Sequence, residues 1–291
     1  MAEFLSIMTA AKSTGSRRLL KSVLRVSVLV YLGLCLFIAV DQRKLLYVPA
    51  TFSVKRAQTW AAQKGLVPWT NAAGEIIGWR LAAPSPAVGS VLVAHGNGGS
   101  ALGFAELAAT IHSATGLNPY LLEYPGYGQR GGSPSETTLL AAADEAWQLL
   151  PTNHPAYVVS ESLGTGIATH LAQKYPTQVA GLLLFVPYDR LASVAQAHYP
   201  WLPAYFLLWD RFAPIEWLAS YHGPVEIIIA GNDQIIPPAR GQNLYDSYQG
   251  PKTLQVIPGA SHGGNTVQSP LWWRDVLAFW QANSVSPKPH N

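Results

Sequence analysis

The sequence predicts an α/β chain, a mainly parallel eight-stranded sheet with helices on both faces, preceded by one apolar helix. Three observations predict it. Short apolar runs without polar alternation recur between stretches of helical length, the pattern of parallel strands buried on both faces. An apolar stretch at residues 23–40 stands ahead of the first of them. A serine, an aspartate and a histidine motif each fall just past the end of such a run, where an open α/β sheet receives its ligands.

The apolar stretch comes first. VLRVSVLVYLGLCLFIAV at residues 23–40 is interrupted only by Arg25 and Ser27. At about 1.5 Å per residue it roughly matches a ~30 Å hydrocarbon layer. Arg25 lies near one end, where its stem can snorkel to the headgroups. Lys12, Arg17, Arg18 and Lys21 precede the stretch, and Arg43 and Lys44 follow it with Asp41, which favours an N-inside orientation. The expected organisation is a basic tail at 1–21, a transmembrane signal anchor at 22–40 and one catalytic domain at 41–291. A cleaved signal peptide is the competing reading, although no small-x-small cleavage site follows.

A helical stretch at 52–64 leads into two strands, 66–69 and 75–82, joined by the turn-prone Asn71-Ala72-Ala73-Gly74 as a hairpin. Six buried strands are expected at 90–94 (SVLVA), 119–122 (PYLL), 156–159 (AYVV), 181–185 (GLLLF), 225–230 (VEIIIA) and 254–257 (LQVI). Helices are expected at 101–113, 136–150, 163–175, 239–248 and 271–282. The second of these opens with Ser133-Pro134-Ser135-Glu136, in which Ser133 is placed to cap, Pro134 to begin the helix and Glu136 to return the capping bond. Residues 187–222 break the rhythm. They hold no clear strand but carry Tyr199, Trp201, Tyr205, Phe206, Trp209, Phe212 and Trp217, read either as a cap over the substrate or as plain helix packing.

Composition bounds the function. The 291 residues suffice for one sizeable domain, and 49% are hydrophobic against 12% charged, about half the charged share of an average soluble chain. Something is buried in lipid or in a large core. The net charge of +3 comes from residues clustered near the N-terminus, so no footprint for nucleic acid is present and none is expected as a partner. A single cysteine, Cys35, excludes an intramolecular disulfide framework and a Cys-based zinc site.

The chemistry centres on Ser160-Glu161-Ser162-Leu163-Gly164, directly after the strand AYVV and before a helical run. It has the form of a nucleophile elbow, G-x-S-x-G, whose serine sits on a tight strand-to-helix turn with small residues two places to either side. Ser160 replaces the first glycine, which leaves the fit of the turn open. A serine hydroxyl is a weak nucleophile and needs a base in hydrogen-bond reach, itself oriented by a carboxylate. Asp233, in Ala230-Gly231-Asn232-Asp233, follows VEIIIA, and His262, in Pro258-Gly259-Ala260-Ser261-His262, follows LQVI. Ser, then Asp, then His is the chain order that accompanies such an elbow. Asp189, after GLLLF, is a rival acid or a helix cap. His170 falls inside the helix after the elbow, and His198 and His222 fall in or beside the cap. His95-Gly96-Asn97-Gly98-Gly99-Ser100 follows SVLVA, where an oxyanion donor is needed beside the backbone N–H of Leu163. It is not a P-loop, because no Lys-Ser or Lys-Thr follows Gly99. Glu123-Tyr124-Pro125-Gly126-Tyr127-Gly128 reads as a structural turn or as scaffold for the pocket rim.

Taken together, these motifs resemble the α/β-hydrolase superfamily and, within it, the membrane-anchored Bem46-like group with its ABHD12, 13 and 17 relatives. The carriers are LLYVP, Gly78-Trp79, HGNGGS, EYPGYGQRGGSPSE, SESLG, HYPWLP with DRF, GPVEIIIAGNDQIIPP and IPGASH. The resemblance implies an α/β-hydrolase fold with a short helical cap at 187–222. It further implies Asn97 as the second oxyanion donor, and hydrolysis of acyl esters or thioesters through an acyl-serine with neither metal nor cofactor. The expected partners are a small-molecule or lipid acyl substrate and a membrane. The expected location is a bacterial inner membrane, with the catalytic domain on the periplasmic side. A serine peptidase on the same scaffold and a non-catalytic binding protein are the competing classes.

Overall fold

The structure, a computed structural model, describes residues 2–82, 88–264 and 268–284, with side chains from Arg17 onward, so Lys12 of the basic tail lies outside the described side chains. Eight strands form one sheet: β1 (Leu66–Thr70), β2 (Ile76–Leu81), β3 (Ser90–Ala94), β4 (Asn118–Leu122), β5 (Ala156–Glu161), β6 (Val179–Phe185), β7 (Val225–Ala230) and β8 (Lys252–Ile257). Their order is β1-β2-β4-β3-β5-β6-β7-β8. β1 and β2 form an antiparallel hairpin, β2 is antiparallel to β4, and every later pairing is parallel.

The central strands are buried along their length, Glu161 at the end of β5 excepted, because both faces are covered. Side chains alternate between two cores, as a period of two requires. Leu92, Val158, Leu182, Leu184 and Ile227 point to one; Val91, Val93, Val159, Leu183, Phe185 and Ile228 point to the other. The first is closed by Leu139 and Ala143 of α4 (Glu136–Gln148), Ile167 and Leu171 of α5 (Gly164–Lys174) and Leu244 of α9 (Pro238–Ser247). The second is closed by Leu107 and Ile111 of α3 (Ala105–Thr115) and by Trp273, Val276 and Trp280 of α10 (Pro270–Asn283). Trp280 stacks on Tyr157 with centroids 4.6 Å apart, and Gly181 leaves room for it, since a Cβ there would lie 2.6 Å from the indole.

α2 (Val54–Gln63) precedes the hairpin, and α6 (Leu191–His198), α7 (Ala204–Leu207) and α8 (Pro214–Trp217) lie between β6 and β7. Two local expectations are corrected. The helix expected from residue 101 begins as a tighter 3-10 turn, Ala101–Phe104, which contains the poor helix former Gly103. α4 is capped by Ser135 and not by Ser133. The Ser135 Oγ accepts from Thr138 N at 3.1 Å and Thr138 Oγ1 accepts from Ser135 N at 2.9 Å, so threonine closes the box two residues later. Glu136, freed of that role, accepts from the Arg211 N–H.

α1 (Ala2–Leu46) is longer than the 22–40 segment at both ends. Its stretch Arg17–Leu46 is long and apolar enough to span a membrane and is almost entirely unburied.

Candidate active site

The site lies at the carboxyl ends of β3, β5, β7 and β8. Ser162 occupies the turn between β5 and α5 with φ +52°, a left-handed conformation that a non-glycine residue holds only when its surroundings impose it. They do so through the backbone. Ser162 N–H donates to Phe185 O at 3.0 Å, and Ser162 O accepts from Thr165 N at 2.9 Å. α5 then starts hard against β3. A Cβ at Gly164 would lie 2.4 Å from Ala94 O, so the last position of the elbow admits only glycine. Ser160, at the position of the usual first glycine, fits without distorting the pairing of β5 with β3 and β6. It is buried, and among the described residues its Oγ has no hydrogen-bond partner.

Asp233 and His262 arrive from the ends of β7 and β8. His262 Nε2 lies 3.0 Å from Ser162 Oγ, and His262 Nδ1 lies 2.7 Å from Asp233 Oδ2. Asp233 is buried, and its other oxygen accepts from Ile235 N at 2.8 Å and Ile236 N at 2.9 Å. Asn232 N donates to Ala260 O at 2.8 Å, which stitches the aspartate turn to the histidine loop. Burial pushes the Asp233 carboxyl up, but the hydrogen bonds from His262, Ile236 and Ile235 outweigh it and hold it below the usual carboxylate range. An ionised carboxylate only accepts. In the neutral ring the proton therefore sits on Nδ1, and Nε2 presents its lone pair to the serine hydroxyl.

The HGNGGS loop lies beside the elbow, with the would-be Cβ of Gly96 3.5 Å from Ser162 Cβ. Among the described residues the backbone N–H groups of Leu163 and Asn97 have no backbone acceptor. The loop is held from behind by the EYPGYG turn. His95 Nε2 lies 3.0 Å from Glu123 Oε1, Tyr124 OH donates to His95 O at 2.8 Å, and Tyr127 OH donates to Asn97 Oδ1 at 2.7 Å. The turn read from sequence as structural or as scaffold is thus packed directly on this loop. Gly128, at φ +56°, makes the arrangement possible, since a Cβ there would meet Glu123 Oε2 at 2.0 Å. Asn97 also holds the end of α1: its Nδ2 donates to Leu46 O at 2.6 Å and its Oδ1 accepts from Val48 N at 3.1 Å.

The remaining candidates have other partners. Asp189 is buried and accepts from Asn243 Nδ2 at 2.6 Å, Arg190 N at 2.8 Å and Arg240 Nη1 at 3.3 Å. His170 Nε2 lies 3.0 Å from Asp144 Oδ1, joining α5 to α4, and His198 Nε2 lies 2.8 Å from Ile235 O. His222 is exposed beyond the cap. Sequence reasoning overlooked Glu161. Burial pushes its carboxyl above the usual range, against the pull of His262 and His95. Its position next to Ser162 was the only available signal.

Residues 89–214 match the family described by the alpha/beta hydrolase fold. Over 247 residues the chain is 37% identical to the uncharacterized protein Rv2307c of Mycobacterium tuberculosis, a match covering 82% of this chain and 87% of that one. This chain belongs to the α/β-hydrolase superfamily. The chain is also 30% identical over 199 residues to a Danio rerio protein named lysophosphatidylserine lipase ABHD12, covering 60% of this chain and 52% of that relative. The α/β-hydrolase fold recurs in an esterase of Pyrococcus furiosus, at TM-score 0.57 and 15% identity over 75% of this chain and 89% of that one.

Proposed function

We propose that this α/β-hydrolase is a membrane-tethered serine hydrolase that cleaves carboxylic esters or thioesters of acyl substrates through an acyl-serine intermediate. The observation that carries the reading is the unbroken line from Ser162 Oγ through His262 to Asp233, with contacts of 3.0 and 2.7 Å. Ser162 Oγ attacks the carbonyl carbon while His262 Nε2 takes its proton, and Asp233 holds the imidazole in the productive tautomer and balances the imidazolium. The N–H groups of Leu163 and Asn97 receive the oxyanion of the tetrahedral intermediate, a donor of this kind being worth about 10²–10³ in rate. Collapse of the intermediate returns the proton to the leaving oxygen or sulfur. Water, deprotonated by the same histidine, then releases the acid.

Support for acyl substrates comes from the lipase and esterase names among the relatives and neighbours and from the apolar helix α1. A panel of p-nitrophenyl esters of increasing chain length tests it, and indifference to acyl length counts against a lipid substrate. Turnover of aminoacyl anilides in place of esters would favour a peptidase. The catalytic assignment is tested by a fluorophosphonate probe. The wild type is expected to be labelled and Ser162→Ala is not; labelling that survives removes Ser162 from the role. The tail charges support an orientation with the catalytic domain outside a bacterial inner membrane, tested by protease access in spheroplasts.

A further inference from the structure

The cap carries a stretch that the chemistry does not use. Residues 199–209, YPWLPAYFLLW, contain no charged side chain. Tyr199, Trp201, Tyr205, Phe206 and Trp209 are all exposed, Phe206 to 86%. An exposed cluster of large rings without charges is unusual on a surface that meets only water.

This stretch lies along α1. Tyr31 OH donates to Trp201 O at 2.9 Å. Gln42 Nε2 donates to Leu207 O at 3.1 Å, and its Oε1 accepts from Trp209 N at 2.8 Å. Arg43 forks onto both oxygens of buried Asp210 at 3.0 Å, and Tyr47 OH donates to the same carboxylate at 2.9 Å. From Tyr31 to Arg43 the helix rises about 18 Å, roughly one leaflet with its edge. α1 cannot span a bilayer clear of these contacts. N-terminal to Tyr31 it is broken by Arg17, Arg18, Lys21 and Arg25, so any register that places the uncharged run 26–40 in hydrocarbon takes Trp201, held by Tyr31, in with it.

Most of the backbone N–H groups of the stretch are paired among the described residues, Trp201 and Tyr205 excepted, as a medium in which unpaired polar groups are costly favours. Leu202 N donates to Tyr199 O, Ala204 N to Leu202 O, Phe206 N and Leu207 N to Pro203 O, and Leu208 N to Ala204 O. Pro200 and Pro203 carry no N–H. The charged pair Arg43–Asp210 lies where the uncharged stretch ends. His198, just before it, contacts the carbonyl of exposed Ile235, two residues from Asp233.

We propose that residues 199–209 are immersed in the leaflet surrounding the C-terminal half of α1, so that lipid covers this face and the cap opens the site toward the bilayer. The proposal rests on the reading of α1 as a membrane span. Its test is depth-dependent quenching in full-length protein reconstituted into phosphatidylcholine–phosphatidylglycerol vesicles. In a Cys35→Ala background, an environment-sensitive fluorophore is attached to Phe206→Cys, to Val30→Cys on α1, or to exposed Gln249→Cys, just ahead of the edge strand β8. Mid-chain spin-labelled phosphatidylcholine is expected to quench positions 206 and 30 several-fold more than 249. Quenching at 30 but not at 206 overturns the proposal. Absence of quenching at 30 removes the span and the proposal together. Oxidative cross-linking of Phe206→Cys between chains, without lipid quenching, would assign the face to a second copy and overturn it as well. A second variant, Phe206→Asp, is expected to lower turnover of a long-chain ester in vesicles about tenfold while sparing a soluble short-chain ester. An equal loss on both esters counts against the proposal. Fluorophosphonate labelling of each variant reports separately on Ser162, so failure of the enzyme reading is not confused with failure of this one.

Discussion

The elbow and the cap are built on opposite principles. Around Ser162 the constraints are backbone atoms: Phe185 O fixes its N–H, and Ala94 O lies 2.4 Å from where a Gly164 Cβ would be. Nothing there can move without moving the sheet. The cap is held to α1 by side chains, Gln42, Arg43, Tyr47 and Tyr31; it buries Phe212 but exposes Tyr199, Trp201, Tyr205, Phe206 and Trp209. Chemistry demands a reacting atom placed to a fraction of an ångström, which a buried sheet edge supplies. The access proposed for the cap demands only a surface of the right polarity, and a few hydrogen bonds suffice to hold it.

The comparison breaks most directly at the acid. If the rigid half carries catalysis, Asp233→Asn keeps the fold and the packing but offers Nδ1 the wrong partner. The expected loss in kcat is about 10⁴-fold, with circular dichroism unchanged. Asp189→Asn, which disturbs contacts to Asn243 and Arg240, is expected to leave kcat within about threefold. A collapse of activity in Asp189→Asn, with Asp233→Asn active, would reverse the assignment.

Asn97 sharpens the comparison because it belongs to both halves. Its backbone lies in the loop beside Ser162, while its side chain joins Leu46, Val48 and Tyr127. Asn97→Ala keeps the N–H but frees the loop from the end of α1. We expect kcat to fall about tenfold with KM little changed, part of the value of one oxyanion donor. Asn97→Asp keeps the acceptor for Val48 and Tyr127 and is expected to recover some of the loss. A change in KM alone would mean that the contact shapes binding and not the oxyanion site.

Rigidity has limits, and Glu226 tests them. It lies buried in β7, on the face toward α10, where burial and then the charge of Asp275 push its carboxyl up to about 7 from 4.5. A carboxyl raised in the folded state contributes stability that is full below its unfolded value and is lost as pH rises through the folded one. The wild type is therefore expected to lose up to about 3 kcal/mol between pH 4 and pH 8. Glu226→Gln should match it near pH 4 and melt several degrees higher at pH 8. Parallel melting curves for the two proteins across that range would refute the burial argument.

Much of this was legible in the sequence, and the reason is local. Runs such as VEIIIA and SVLVA announce buried strands because all but one residue of each, Glu226 and Ser90, is apolar, and the order Ser162, Asp233, His262 is visible once strand ends are located. The helix cap was misassigned because Ser133 and Ser135 flank one proline and only the closing Thr138 decides between them. The docking of Gln42, Arg43 and Tyr47 onto Leu207, Trp209 and Asp210 joins residues more than 160 apart. No periodicity reports on such distances. Asn97 was placed by resemblance, but its grip on Leu46 depends on how α1 leaves its last turn.

Ser160 is the smallest test and the most discriminating for the elbow. Its hydroxyl is buried without a partner among the described residues, and such a group costs roughly 1–3 kcal/mol. Ser160→Ala removes the hydroxyl and keeps the Cβ that the sheet already accommodates, so it is expected to stabilise the protein by about 1 kcal/mol, raising Tm by roughly 2–4 °C at unchanged kcat. Ser160→Gly restores the usual residue but adds backbone freedom worth about 0.5–1 kcal/mol, so its net effect should be near zero. A loss of activity in Ser160→Ala with stability unchanged would mean that the hydroxyl acts on the nucleophile next door, and the elbow would then be held by a side chain as well as by its backbone.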